Sequence, residues 1–307
     1  MDLEKIVQET YAYGEKYLDQ GNIVDYIPGL KDVDPKAYGL ALIDEDGNFY
    51  EAGAIDTRYT IMSITKVFLY ILALETYGLE ELRKYVGLKP SSKAFNSLLD
   101  LQLEDNIPVN PYVNAGALTV SYLLYKKYGA KAIDKVLEKI RTLAENEEID
   151  IDEEVVITSE HAGYANKAMI FSLQNKGPIS KDVDVFDVLS VYNRACCIRV
   201  STRDLAKLSF VLSNDGKNRN GVQLIDPDHA RISRTLMATC GTYDYSGDFA
   251  VDVGLGAKSG VGGGIMTSTK AGLGLATYGP KLDSRGNSVV GIEMLKYISE
   301  KLNLSIY

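Results

Sequence analysis

The chain has little of what most hydrolytic and metal sites are built from. Two histidines, His161 and His229, serve 307 residues, which leaves little for a Ser-His-Asp triad or a multi-histidine metal site. Any hydrolytic chemistry here needs another base. The three cysteines, Cys196, Cys197 and Cys240, are odd in number, two are adjacent, and none has metal-ligand spacing. That argues against a disulfide framework or a zinc site and for buried free thiols. Long apolar runs are missing too: the longest, residues 67–74, is far short of a bilayer span, and Lys66 sits just before it. No transmembrane helix is expected. With a net charge of -9 and scattered Lys and Arg, the footprint of a nucleic-acid or anionic-membrane binder is absent, so small molecules are the expected partners. The opening Met1-Asp2-Leu3-Glu4-Lys5 lacks the basic start and apolar run of a secretory signal. A cytoplasmic location is expected.

A composition of 46% hydrophobic and 24% charged residues is enough for a large core, as one domain or two interleaved lobes. Leu3, Ile6, Val7, Gly14, Tyr17 and Leu18 share one helical face, and Gly21 supplies a stop. An alternating run at 38–43, the turn set Asp44-Glu45-Asp46-Gly47-Asn48 and a second run at 49–52 predict a β-hairpin. From Ser63 to about Tyr77 the period turns helical and ends at Gly78. Helical periods then dominate to about Asp226, over residues 115–128, 130–143, 166–174, 185–192 and 202–214. The acidic stretch Glu145-Asn146-Glu147-Glu148, with Asp150, Asp152, Glu153 and Glu154, reads as a solvated connection, because like charges repel when packed. After a helical run at 227–238, glycine-rich apolar stretches at 251–257, 261–266 and 271–278 predict strands joined by tight turns. Residues 289–302 recover helical spacing. The expected fold is α+β: a mostly antiparallel sheet built from both ends of the chain, flanked by terminal helices, beside an inserted helical lobe. Residues 1–307 make one domain in this reading, with a sheet lobe at about 1–77 and 227–307 and a helical lobe at about 78–226.

Ser63-Ile64-Thr65-Lys66 fits SxxK, the signature of serine acyl-transfer enzymes. A hairpin before it and a helix beginning at it put Ser63 at a helix N-terminus, where free N–H groups and the dipole favour developing negative charge. A spacing of three sets both side chains on one helical face. The chemistry needs that proximity, since a serine hydroxyl attacks poorly until a base takes its proton, and an amine can do so only when neutral. Burial among Val67, Phe68 and Leu69, with a second cation nearby, would depress the Lys66 pKa. Lys258 is the candidate second cation; Lys258-Ser259-Gly260 resembles the third motif of the same enzymes, KTG or KSG on a strand edging the active site. Plainer readings exist for the first motif: serine as a helix N-cap and lysine as an exposed helix position. The two motifs in order, followed by Gly262-Gly263-Gly264, outweigh them.

More of the chain falls into line with this centre: Asp25-Tyr26-Ile27-Pro28, Phe95-Asn96-Ser97, Asn110-Pro111 with Asn114-Ala115-Gly116-Ala117, Ser159-Glu160, Cys240-Gly241-Thr242-Tyr243-Asp244 with Ser246-Gly247, and Gly286-Asn287-Ser288-Val289. With the two motifs, these segments resemble the serine-dependent glutaminase family over nearly the whole chain, a family with the β-lactamase fold. The resemblance implies hydrolysis of the glutamine side-chain amide to glutamate and ammonia through an acyl-enzyme at Ser63, with Lys66 as base and no cofactor or metal. It implies an oxyanion hole made by the N–H groups of Ser63 and Val261, a relay tyrosine at Tyr243 and a second active-site tyrosine at Tyr26. An amino-acid substrate brings an α-ammonium and an α-carboxylate, so its pocket needs an acid and neutral donors. By resemblance Glu160 takes the ammonium, while Asn114, Asn166 and Tyr192 hold the carboxylate and orient the substrate. Aromatic core for the tyrosines, a helix cap for Asn114 and a surface acid for Glu160 stay open as alternatives. The family tends to form homo-oligomers, and one is expected here.

Departures from the family pattern cluster around the pocket. Met62 stands where glutamine is usual before the nucleophile. His161-Ala162-Gly163-Tyr164-Ala165-Asn166 is one residue shorter than the usual form and lacks its arginine. Cys196-Cys197-Ile198-Arg199 replaces a pattern ending in an acid, and Lys89-Pro90-Ser91-Ser92 replaces Glu-Pro-Ser-Gly. Met62 bears on the shell behind Ser63 and Lys66, and together these departures bear on the amide preferred. Two rival readings share the scaffold. One is a penicillin-binding or β-lactamase enzyme, for which Tyr112-Val113-Asn114 passes as the YxN motif. The other is a non-catalytic amino-acid sensor, which the retained Ser63, Lys66, Tyr243 and Lys258 disfavour.

Overall fold

The computed structural model describes residues 2–91, 107–269 and 272–307. Phe95-Asn96-Ser97, Ser92 and Ala271, all used above, lie outside the described residues. Helix α1 (Leu3–Gly14) is capped by Asp2, whose carboxylate accepts from the Lys5 N–H at 3.1 Å, and a 3-10 turn at Glu15–Tyr17 extends it. The predicted hairpin forms as β1 (Gly39–Ile43) and β2 (Phe49–Gly53). Asp44 closes its turn, accepting from the N–H groups of Asp46 and Asn48 at 3.0 and 2.8 Å. Then come β3 (Tyr59–Thr60), α2 (Thr65–Tyr77), the single turn α3 (Leu79–Leu82), α4 (Asn114–Tyr128), α5 (Ala132–Ala144), β4 (Asp150–Ile151), α6 (Glu153–Ala162) and α7 (Tyr164–Lys176). The chain continues through α8 (Val185–Cys196), β5 (Ile198–Val200), α9 (Thr202–Ser213), α10 (Pro227–Cys240) and α11 (Ser246–Asp252). It ends with β6 (Gly256–Ser259), β7 (Gly264–Ser268), β8 (Gly274–Tyr278) and α12 (Val289–Leu302).

Five strands form an antiparallel sheet in the order β2-β1-β8-β7-β6, so the two ends of the chain pair directly, with Leu42 opposite Leu275. The period of two divides its side chains between two cores. Leu40, Leu42, Ile265 and Leu275 pack with Val7 of α1 and Met294, Leu295 and Ile298 of α12. Ala41, Ile43, Met266 and Ala276 join the helical segment through Leu205 and Phe210 of α9. A capping box between Ser201 and Asp204 fixes where α9 begins.

Two stretches fold differently from the sequence reading. Residues 251–257, expected as a strand, start in a helix: α11 runs to Asp252 and β6 begins only at Gly256. Phe249 and Val253, a helical turn apart, take the buried face and leave Val251 87% exposed. The acidic connection also holds structure. Asp152 caps α6, accepting from the Val155 N–H at 3.1 Å, and acids in a first turn favour a helix start, so a solvated charge run and a helix N-terminus look alike in sequence. Asp150 and Ile151 form β4, which joins a second, three-stranded sheet in the order β3-β5-β4. Its strands are too short to show a period. Across it the Asp150 carboxylate accepts from Arg58 at 2.7 Å and Arg199 at 2.8 Å. The Ile61 N–H donates to Ile198 O at 2.7 Å, so this small sheet delivers the chain to Ser63. Among the described residues no helix is long and apolar enough to cross a membrane.

Candidate active site

A strained turn precedes the nucleophile candidate. Met62 has φ 47°, a left-handed conformation uncommon outside glycine, and its side chain is held by Val24, Leu30 and Leu282. Residues Met62–Ile64 wind into a 3-10 turn that runs on into α2, so α2 starts two residues later than the sequence reading has it. Ser63 is half-buried in that turn, and no side chain caps α2.

Lys66, one turn on, is 1% exposed, with Val67, Phe68 and Leu69 fully buried beside it. Burial penalises the ammonium and lowers its pKa to about 7, against a smaller upward pull from the Cys196 thiol. Its Nζ lies 2.9 Å from Tyr112 O, 2.6 Å from Asn114 Oδ1 and 3.3 Å from Tyr243 Oη. Lys258 on β6 is also wholly buried and donates to Ser259 O at 2.7 Å. Its pKa falls well below the ordinary value, through burial first and the Lys66 charge second. Burial is the leading cause at both lysines, and the charge on Lys66 is the second cause at Lys258.

Tyr243 reaches both lysines because α10 ends hard against β6: a Cβ on Gly241 would lie 1.7 Å from Ala257 O. The chain then turns through Tyr243 at φ 59°. The buried phenol hydrogen-bonds the Ser63 hydroxyl, and burial holds its pKa above the ordinary value. Asn114 opens α4 without capping it. Its Oδ1 accepts from Lys66 and, at 3.4 Å, from the Tyr192 hydroxyl, while its Nδ2 donates to Asn166 Oδ1 at 2.9 Å.

These groups edge a cavity of about 670 Å³. Ser63, Asn114, Asn166, Tyr192 and Val261 are on its wall, and Tyr26, 58% exposed, is on it too. Lys66, Tyr243 and Lys258 are off the wall: Lys66 is bonded to Asn114, which lines it, and to Tyr243, and Lys258 packs against the Tyr243 ring. Glu160 is not on the wall: Ser159 and Gly163 are, while Glu160 is half-buried with no ion-pair partner among the described residues. Val261 lies in the turn between β6 and β7, ahead of the strand predicted to hold it. Ser63 and Val261 line the same cavity. No group of three or more His, Cys, Asp or Glu residues among the described residues could hold a metal ion.

Sequence reasoning missed Tyr112, which contributes a backbone carbonyl and so gives no residue-type signal. Cys196, placed by the sequence near the pocket, is on the wall, but the wall formed where Asn22 pairs with Leu282 was missed, a contact between distant segments with no local pattern.

The fold, with Ser63 one helical turn before a buried lysine and a lysine-bearing strand beside them, defines the β-lactamase-like class of serine acyl-transfer proteins. The glutaminase family model matches residues 21–307. The glutaminase of Clostridium tetani is 38% identical over 307 residues, covering 99% of this chain and 98% of the relative, and that of Clostridioides difficile is 38% identical over 306 residues with the same shares. Among solved structures, the probable glutaminase ybaS superposes with a TM-score of 0.94 at 32% identity, over 99% of this chain and 98% of that one. A probable glutaminase from Bacillus subtilis complexed with 6-diazo-5-oxo-L-norleucine superposes with a TM-score of 0.88 at 29% identity, over 99% and 96%. The chain belongs to the serine-dependent glutaminase family.

Proposed function

We propose that this protein hydrolyses L-glutamine to L-glutamate and ammonia through an acyl-enzyme on Ser63, with neutral Lys66 as base. The three-way contact at Lys66 carries this reading. A neutral amine has two hydrogens and one lone pair. Tyr112 O and Asn114 Oδ1 are acceptors only and take the hydrogens, so the lone pair is left for Tyr243 Oη. Tyr243 passes its proton to Lys66 as it takes one from Ser63, and Ser63 Oγ adds to the side-chain amide carbon. The N–H groups of Ser63 and Val261 take the oxyanion. Lys66 returns the proton through Tyr243 to the leaving nitrogen, which departs as ammonia. Water, activated by the same relay, then hydrolyses the ester and restores Ser63. In this reading Asn166 and Tyr192 hold the α-carboxylate, Glu160 takes the α-ammonium, Tyr26 stands at the mouth, and Lys258 braces the strand that leads to Val261.

Purified protein is expected to release ammonia from glutamine, and Ser63→Ala to abolish release while keeping the wild-type circular dichroism spectrum. Unchanged turnover in that variant removes the central claim. A panel of glutamine, asparagine, an N-substituted glutamine and a penicillin separates the rivals. Stoichiometric acylation by penicillin without glutamine turnover would identify a penicillin-type enzyme, and glutamine binding without turnover or adduct a sensor.

The same reading has a homo-oligomer working in the cytoplasm. Three free cysteines suit a reducing compartment. Phe171 and Phe186, both exposed and edge-on with ring centres 5.9 Å apart, make an apolar patch that suits self-association. Light scattering of the purified protein tests it, and a monomer at micromolar concentration would contradict it.

A further inference from the structure

The cavity is larger than glutamine. At roughly 30 Å³ per non-hydrogen atom, the share of a water in the liquid, glutamine would take about 300 Å³, against about 670 Å³ in the cavity. Two kinds of lining divide that space. Asn114, Asn166 and Tyr192, from α4, α7 and α8, form one hydrogen-bonded group. Val24, Met62 and Leu282 form an apolar cluster with Ile27 and Val261 packed on it, and all five line the cavity, as does Ile23. None of these side chains has an N–H or O–H to offer. They come from the segment ahead of β1, the turn ahead of α2 and the loops after β6 and β8, held together where Asn22 and Leu282 exchange backbone hydrogen bonds at 2.9 and 2.8 Å.

In the glutaminase reading the α-carboxylate lies at Asn166 and Tyr192 and the side-chain amide at Ser63. Met62 adjoins Ser63, and Val261 supplies an oxyanion N–H, so the apolar cluster borders the amide end. A group carried on the amide nitrogen runs toward it. We infer that this end of the cavity is a leaving-group compartment, and that the enzyme also hydrolyses γ-glutamyl amides of apolar primary amines. The inference rests on the glutaminase reading and deepens it by naming a further substrate class for the same site. Ser63 Oγ bonds to the amide carbon, the C–N bond breaks, the alkylamine leaves with the proton that Lys66 returns through Tyr243, and water hydrolyses the ester to glutamate. Asp25, Asp283 and Arg285 flank the apolar residues in sequence and line the cavity too, and Arg285 is already paired with Asp248 at 3.1 Å. A carboxylate on the substituent would meet two acids there, so the class is amides of simple amines and not γ-glutamyl amino acids.

γ-Glutamyl methylamide, propylamide and butylamide have leaving amines of nearly constant basicity, so the series reads the compartment and not the bond broken. The wild type is expected to release glutamate from all three, with KM falling roughly threefold for each methylene added. Turnover of glutamine with the alkyl amides refused, or a KM that is flat or rises along the series, overturns the inference. γ-Glutamyl-leucine should show a KM roughly tenfold above that of the butylamide; an equal or lower one would give the compartment to amino acids and overturn the class named here. Ile27→Asn sets a polar amide in the apolar wall and should cut the butylamide-to-methylamide ratio of kcat/KM by roughly fivefold or more. If thermal unfolding shows that it does not fold, Ile23→Asn takes its place. An unchanged ratio in the folded variant would put the alkyl chain elsewhere and overturn the assignment of this wall. Glutamine left intact by the wild type sinks the functional reading, whereas glutamine turned over with the alkyl amides refused sinks this inference alone.

Discussion

Lys258 Nζ lies 4.0 Å from the centre of the Tyr243 ring, and its hydrogen bond runs back to its own strand, at Ser259 O. Burial and the Lys66 charge both push the Lys258 pKa well down, and an uncharged Lys258 would act as a brace for the strand end that leads to Val261. Lys258→Met keeps the stem and removes the donor. We expect kcat to fall while the acid limb of kcat/KM stays within about half a pH unit of wild type. The sign discriminates: a charged Lys258 would hold Lys66 down, and removing it would raise the limb by about a unit or more.

Both buried lysines also make stability depend on pH. Lys66 titrates at about 7 when folded against 10.5 ordinarily, and Lys258 lies well below 10.5. The folded state therefore binds fewer protons than the unfolded state between those values. The cost is fully present below the folded pKa and is relieved as pH rises from about 7 toward 10.5. For Lys66 alone the full window is on the order of 5 kcal/mol. Urea unfolding from pH 7 to 10 should show stability rising with pH, and Lys66→Met should lower that slope. A flat profile in the wild type would mean that neither amine is held neutral by the fold. In the same range kcat/KM should climb about tenfold per unit below pH 7 and level off above it.

Asp150 ties two strands of the small sheet through Arg58 and Arg199, and the paired Arg199 side chain first of all lowers its pKa. The groups are more than a third exposed, so solvent screens most of the interaction. Asp150→Asn should lower stability by about 1 kcal/mol at pH 7 and low salt. The difference should shrink in molar salt, and again as acid takes the wild-type carboxylate through its lowered folded pKa. Because Ile61 hangs from Ile198 in this sheet, kcat should fall with it. An equal loss at all salt concentrations would point to packing instead.

What could be read from sequence was local. The helical periods, the hairpin turn at Asp44 and the two lysine motifs all lie within a few consecutive residues, so their patterns survive without the fold. The downward pull on the Lys258 pKa did not, since it comes first from burial and then from Lys66, another part of the chain brought beside it by the fold. The glycine-rich apolar stretch at 251–257 suggested a strand, and only the burial of Phe249 with Val253 decides for a helix at its start. The acids around Asp152 read as solvated because a cap and a charge run use the same residues. Asn114 was legible as a site residue, but its engagement with Lys66 and Asn166 is a contact through space.

Glu160, the candidate from sequence for the substrate ammonium, lies off the cavity wall. It sits in the last turn of α6 beside Ser159, which does line the cavity. A half-buried carboxylate without an ion-pair partner among the described residues is a natural partner for a substrate ammonium, through a charge-assisted hydrogen bond. Glu160→Gln keeps the shape and removes the charge. Because an ammonium is held alike in the ground and transition states, KM for glutamine should rise about tenfold or more with kcat within about threefold. Glutaramate, which is glutamine without its α-amino group, gives the control: wild type should reject it, and the variant should turn over both amides with similar KM. If Glu160→Gln keeps the full preference for glutamine, the ammonium is held elsewhere. Asp25, a carboxylate that does line the cavity, would then be the residue to replace.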